Sequence, residues 1–298
     1  GVEGTAATNS ADYAIGTFRM LHTLLFVHGF WNYHRIASLV NFIFYKAGLL
    51  ALSSYCFGYV SGFSGQQFFN DPLYQLYNVC YTALPILAVA ILGKSLPSNM
   101  LENNPIAYKY AKGKAFNFKI FLSWGFRSVL HTIILFTVAF YSSKTADMDG
   151  MSSLWLSSTI VFYAVAVLPN LLILYLMENF TMMHFLSIIP CSLGSVFLFS
   201  WLLSLGEIYN PDLYGVIEQM YKSPTSWLIL MLSCGIPLLM ELGYRGIKRH
   251  LRPTFTQILQ EKYRKIHQQA EEYAKDEHIP LSELKKTRGF QNIAMIGD

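Results

Sequence analysis

The residues of this sequence whose type and setting could do chemistry begin with Lys46, a lysine set in an apolar run, Asn41-Phe42-Ile43-Phe44-Tyr45-Lys46-Ala47-Gly48-Leu49-Leu50. An ammonium at membrane depth is costly unless paired or hydrated, so such a position marks a functional site by default. A second polar set follows in Leu76-Tyr77-Asn78-Val79-Cys80-Tyr81-Thr82-Ala83-Leu84-Pro85. Its proline frees backbone carbonyls in a helix, and Asn78 and Thr82 add an amide and a hydroxyl on nearby turns. Together with Tyr45 these residues could form a polar cavity beside Lys46. The chemistry on offer is recognition of a polar group at depth, not the breaking of bonds. Taken alone, Asn78 suits an interhelical hydrogen bond equally well.

The elements that must position these groups are helices. Phe30, Trp31, Ile36, Leu39, Val40, Ile43, Phe44, Leu49, Leu50 and Leu52 recur at helical spacing, which predicts one helix from His28 to Gly62. At 1.5 Å per residue such a run measures roughly 50 Å, against a bilayer core of about 30 Å. The surplus is expected at the N-terminal end, where His28, Asn32, His34 and Arg35 are polar, as a stalk. Five further apolar runs, about Pro72 to Leu92, Ile120 to Tyr141, Leu154 to Met177, Phe185 to Leu205 and Ser226 to Gly243, are each long enough to span. With 53% apolar, 15% aromatic and only 13% charged residues, the chain has the composition of an integral membrane protein. The expected fold is all-α, a polytopic bundle of six spans with a cytosolic C-terminal tail. Residues 28–250 are expected to form the spans and 251–298 the tail, with 1–27 leading into the stalk.

Charge sets the orientation. The loop from Gly93 to Lys119 holds Lys94, Lys109, Lys112, Lys114 and Lys119, and the segment after the last span holds Arg245, Lys248, Arg249 and Arg252. The opposite loops hold only Lys144 and Lys222, among the acids Asp71, Asp147, Asp149, Glu207, Asp212 and Glu218. The positive-inside rule therefore places both ends in the cytosol. The net charge of +4 reflects topology and calls for no nucleic-acid partner.

Several function classes are disfavoured. No Asp or Glu lies in the central turns of any expected span, so carboxylates supply no oxygen cage for Ca²⁺ or Na⁺. No metal-ligand cluster, nucleophile with its base, or phosphate-cradling glycine loop is present, so no metal site and no catalytic residue is expected. Cys56, Cys80, Cys191 and Cys234 lie within spans without metal-ligand spacing and read as small buried hydrophobes. Arg127 and His131 share one face of the third span. Arg127 lies near enough to the inner side to snorkel; it, Asn170 and Glu241 read as structural. The chain opens without a signal peptide or an initiator methionine, and is expected to begin within a longer protein.

The run Ser10-Ala11-Asp12-Tyr13-Ala14-Ile15, then Phe18-Arg19-Met20-Leu21 and Leu25-Phe26-Val27-His28-Gly29-Phe30-Trp31-Asn32-Tyr33-His34-Arg35, resembles the P4-type ATPases, the phospholipid flippases. So, in the same order, do Phe44-Tyr45-Lys46, Gly62-Phe63-Ser64-Gly65-Gln66, Leu76-Tyr77-Asn78 and Thr82-Ala83-Leu84-Pro85. The likeness is specific over residues 1 to 93 and looser to about 250; the family usually has arginine where this chain has Phe30.

The resemblance implies the C-terminal membrane half of an ATP-driven translocase that moves aminophospholipid-type lipids toward the cytosolic leaflet. Mg²⁺, ATP, the phosphorylated aspartate and the actuator domain would then belong upstream of Gly1, and the fragment alone would be inactive. Residues 1–27 would be the end of the cytosolic phosphorylation domain and its linker. The family's lysine and asparagine implicated in headgroup handling correspond to Lys46 and Asn78. The implied partners are membrane phospholipid and a two-span glycosylated β-subunit, in a eukaryotic plasma membrane or in Golgi or endosomal membranes. Arg288-Gly289-Phe290 resembles the start of the family's autoinhibitory element, although Gln291-Asn292-Ile293 departs from it. In the tail before it, Phe255, Ile258, Leu259, Tyr263, Ile266 and Tyr273 fall near helical spacing, as a solvated or membrane-surface helix would. The alternatives are a flippase-like segment of a fused multidomain protein and a membrane module without ATP coupling.

Overall fold

The structure is a computed structural model that describes residues 6–111, 115–145, 154–177, 181–206 and 211–276. Among these residues all regular structure is helical. Six helices are long and apolar enough to cross a membrane: α1 Met20–Val60, α2 Asp71–Leu92, α3 Phe118–Lys144, α4 Leu154–Leu176, α5 Met182–Ser204 and α6 Pro224–Leu251. A seventh, α7, covers Phe255–Asp276. The chain is an integral membrane protein.

Helix α1 starts at Met20, well before His28, and passes through a π-helical stretch over Leu24–Gly29. It ends where Gly62 turns to φ +63° and Phe63 N donates to Gly58 O at 2.8 Å, a glycine-terminated C-cap. The side chain of Asn117 starts α3 by accepting from Ile120 N at 2.9 Å, the usual N-cap bond.

The described residues form two compact units. The larger, within 35–93 and 115–252, is the membrane bundle. Its axis is α4, in which every residue from Ser157 to Asn170 is buried; a helix apolar on all sides belongs in the middle of a bundle. The other spans each bury one face and leave large apolar side chains outside, such as Phe126, Leu198, Leu228 and Met231. At one end of this core Phe57 stacks on Phe68 with centroids 4.4 Å apart.

The smaller unit, within 1–34, 94–114 and 253–298, has its own apolar core. Val27, Phe30 and Trp31 of α1 meet Leu96, Met100, Leu101 and Ala107, and Leu259 of α7 packs there with Phe255 and Tyr263. Trp31 Nε1 donates to Leu96 O and Gln260 Nε2 to Ser95 O, both at 2.9 Å. The start of the tail is thus a docked helix rather than a solvated one, because Leu259 falls on the same stripe as Phe255 and Tyr263. Ile258, off that stripe, is exposed. Arg288, Gly289 and Phe290 lie outside the described residues.

Candidate functional site

The site begins with a break in α2. Pro85 has no N–H, so Tyr81 O loses the donor four residues on. The chain responds with a π-helical stretch, Tyr77–Tyr81, and a bend at Thr82 with φ −131° and ψ −2°. The freed Tyr81 carbonyl is taken by Asn170 Nδ2 of α4 at 2.9 Å and by the Ser192 hydroxyl of α5. Ser195 Oγ reaches Cys80 O at 3.4 Å. The Tyr81 carbonyl freed by the proline is therefore occupied by α4 and α5 rather than by Lys46. Pro190 lies in a further π-helical stretch, Ile189–Leu193, from which the Ser192 hydroxyl reaches the break.

The broken turn presents one acceptor. The Thr82 hydroxyl donates its single proton to Tyr77 O at 2.8 Å, which leaves its lone pairs for another donor. That donor is Lys46: Nζ donates to Thr82 Oγ1 at 2.8 Å, and the lysine is only 6% exposed. Tyr77 OH returns a bond to Lys46 O at 2.9 Å, and Nζ stands 6.0 Å from the Tyr77 ring centroid, at the outer limit for a cation–π contact. An ammonium carries three donors; among the described residues, Thr82 is the hydrogen-bond acceptor shown for Nζ.

Asn78 stands apart from this cluster. At α-helical spacing it would share a face with Thr82, but the intervening π-helical stretch changes the register, and Asn78 is exposed while Thr82 is fully buried. The structure thus brings Lys46, Thr82 and Tyr77 together with Pro85 one turn beyond, and turns Asn78 outward. Tyr45 faces the other way, with its hydroxyl 2.7 Å from His131 Nδ1 on α3.

Three further charges, Arg127, Glu241 and Arg245, satisfy one another. Arg127 does not snorkel: Nη1 pairs with Glu241 Oε1 at 2.6 Å, and Arg245 Nε reaches the same oxygen at 2.5 Å. Glu241 is 2% exposed, and the Arg127 guanidinium lies 4.2 Å from the Trp124 ring centroid. This carboxylate is committed and does not serve Lys46. Among the described residues no three His, Cys, Asp or Glu side chains converge as a metal site would require. Of the cysteines, Cys234 is buried, but Cys191 is exposed, contrary to the buried reading.

Sequence reasoning passed over Tyr77, Ser192 and Ser195 as members of the site. Tyr77 carried a signal, since it lies next to Asn78 in the quoted motif. The serines carried only the proline two residues before Ser192.

The profile of the family described as "Phospholipid-translocating P-type ATPase C-terminal" matches residues 8–254. Phospholipid-transporting ATPase 2 of Arabidopsis thaliana is 31% identical over 267 residues, covering 88% of this chain and 23% of the relative. Phospholipid-transporting ATPase DRS2 of Saccharomyces cerevisiae is 30% identical over 309 residues, covering 97% of this chain and 22% of the relative. Phospholipid-transporting ATPase IH of Mus musculus is 29% identical over 270 residues, covering 87% and 22%. The chain thus spans less than a quarter of the length of these relatives.

Proposed function

We propose that this chain, which belongs to the family of phospholipid-translocating P-type ATPases, is the C-terminal membrane part of an ATP-driven lipid translocase, and that Lys46 handles the headgroup. The observation that carries the site assignment is the hydrogen bond from Lys46 to Thr82 at 2.8 Å. It holds a buried ammonium on a neutral acceptor, while the buried carboxylate of Glu241 is committed to two arginines. A neutral hydroxyl compensates a buried charge poorly, so an arriving phosphate oxygen is a stronger acceptor that can replace it. Lys46 is then costly while the path is empty and stabilised once the headgroup is present. Asn78, exposed on α2, offers its amide to a headgroup on the way to the break.

Transport runs from the outer or lumenal leaflet to the cytosolic one and takes aminophospholipid-type lipids. ATP and Mg²⁺ act in domains upstream of this chain, which close on residues 1–27; residues 251–298 are a regulatory tail. A two-span β-subunit accompanies the full protein in plasma or Golgi and endosomal membranes. Movement driven by phosphorylation reaches the break in α2 through α1, as a rigid-body or hinge switch.

The test is reconstitution of the full-length protein in liposomes with fluorescent phosphatidylserine. ATP-dependent, vanadate-sensitive movement of the label between leaflets is the expected result, and its absence in active, assembled protein overturns the reading. The isolated 298-residue chain has no residue set for phosphoryl transfer and should show no vanadate-sensitive ATPase activity.

A further inference from the structure

We propose that His131, acting through Tyr45, is a positioning residue for the Lys46 site: it fixes the rotation of α1 about its own axis and so keeps the ammonium at the break in α2, where the headgroup is to replace Thr82. The inference rests on the reading of Lys46 as the headgroup group.

Tyr45 and Lys46 are consecutive on one helix, so their side chains diverge by about 100°. Lys46 points to α2, and Tyr45 points to α3. Trp124, Ser128 and His131 are spaced to share one face of α3, and all three are turned to the tyrosine. The Tyr45 ring meets Trp124 and His131 edge-on, each at 5.8 Å between centroids. Ser128 Oγ donates to Tyr45 O at 3.1 Å, and the Tyr45 hydroxyl lies 2.7 Å from His131 Nδ1. In the neutral imidazole with its proton on Nε2, Nδ1 accepts from the phenol.

The contact is tight as well as polar. Gly48, three residues after Tyr45, lies against Ser128 so closely that a Cβ there would overlap the serine hydroxyl. On the other side Tyr77 OH holds Lys46 O at 2.9 Å. Consecutive carbonyls of α1, those of Tyr45 and Lys46, are thus each gripped by a hydroxyl from a different neighbouring helix. The charged groups nearest His131 on its own helix and on α6, Arg127 and Glu241, are joined to each other.

Rotation is the freedom that matters. On a helix whose side chains reach a radius of about 6 Å, a turn of ~20° moves a side-chain tip by ~2 Å. That exceeds the whole range of distances over which a donor keeps a hydrogen bond, so the ammonium would no longer meet a headgroup oxygen arriving at the break. Removing the Tyr45–His131 bond therefore weakens recognition at Lys46 without touching the ligand.

The experiment uses the full-length protein and two readouts: phosphoenzyme formed from ATP, and the phosphatidylserine concentration giving half-maximal dephosphorylation. Phosphoenzyme formation serves as the folding control. Tyr45→Phe and His131→Ala should each raise the half-maximal lipid concentration about tenfold, the worth of a buried hydrogen bond. The double variant should go no higher than either single one, because both remove the same bond. His131→Asn, whose Oδ1 can stand near the position of Nδ1, should recover most of the loss, which a purely steric role would not allow. Should His131→Ala fail to assemble, the Tyr45→Phe and His131→Asn pair decides. Unchanged lipid dependence in Tyr45→Phe and His131→Ala, or fully additive effects in the double variant, overturns the positioning role. Lys46→Met, run alongside, separates the two claims: if it alone loses lipid stimulation, the positioning role is wrong and the Lys46 reading stands; if it too is unaffected, both fall.

Discussion

Arg127 of α3 and Glu241 of α6 stand 114 positions apart in sequence and meet at 2.6 Å, with the carboxylate 2% exposed. Arg245 shares the same oxygen at 2.5 Å, so one buried acid holds two cations and pins α6 to α3. Breaking such a pair is costly because a buried charge is left without a partner.

Glu241→Gln should therefore cost roughly 3 kcal/mol of stability, seen as a large fall in melting temperature. Adding Arg127→Met to that variant should raise the melting temperature again, since the orphaned guanidinium is removed. A double variant that melts at or below Glu241→Gln alone would show that the pair is not the source of the loss. Thermal melting of the detergent-solubilised full-length protein measures this directly.

The break in α2 makes a second prediction. Tyr81 O is held by Asn170 and Ser192, and an unsatisfied buried carbonyl costs about 1–3 kcal/mol. Ser192→Ala and Asn170→Leu should each destabilise mildly, while the two together should destabilise by more than their sum. A strictly additive double variant would mean that the carbonyl finds another donor.

Thr82→Val keeps the shape of the side chain and removes the acceptor of Lys46 Nζ. The empty protein should melt lower, and the rise in melting temperature on adding phosphatidylserine should exceed that of the unaltered protein. An equal lipid-induced rise in both would show that Thr82 does not stand in for the headgroup.

Leu259 is 7% exposed in the core formed with Leu96, Met100 and Leu101. Leu259→Ala should cost roughly 2 kcal/mol or more, as large-to-small core changes do. Truncation after Asp276 keeps α7, whereas truncation after His250 removes it. The first should leave ATPase activity equal or higher, and the second should lose stability as well. If both truncations melt alike, α7 contributes nothing to that core.

Much of this was legible in the sequence. Continuous apolar runs gave six spans, and Lys46, Thr82 and Pro85 lie at the break or one turn from it, while Tyr45 faces α3 instead. What was hidden has physical causes. The π-helical stretch over Tyr77–Tyr81 shifts the register between Asn78 and Thr82, so two residues on nearby turns, expected in one polar cavity, end up one exposed and one buried. The donors that complete the break, Asn170 and Ser192, sit on distant helices, and a serine in an apolar helix reads as filler. The pairing of Arg127 with Glu241 depends on which helices are neighbours, and charge patterns within one span do not contain that information. The tail helix showed its apolar stripe but not the surface that covers it.

The central claim is that the Lys46 ammonium couples headgroup arrival to the catalytic cycle. The measurement that tests it most directly is lipid-stimulated dephosphorylation of Lys46→Met in the full-length protein, with phosphoenzyme formation followed in parallel. The account predicts that phosphorylation by ATP persists, that phosphatidylserine no longer accelerates dephosphorylation, and that Asn78→Ala chiefly weakens apparent lipid affinity or alters headgroup preference. Folded, assembled Lys46→Met and Asn78→Ala variants with unchanged lipid dependence would contradict it and leave Lys46 as a hydrogen-bonded strut between α1 and α2.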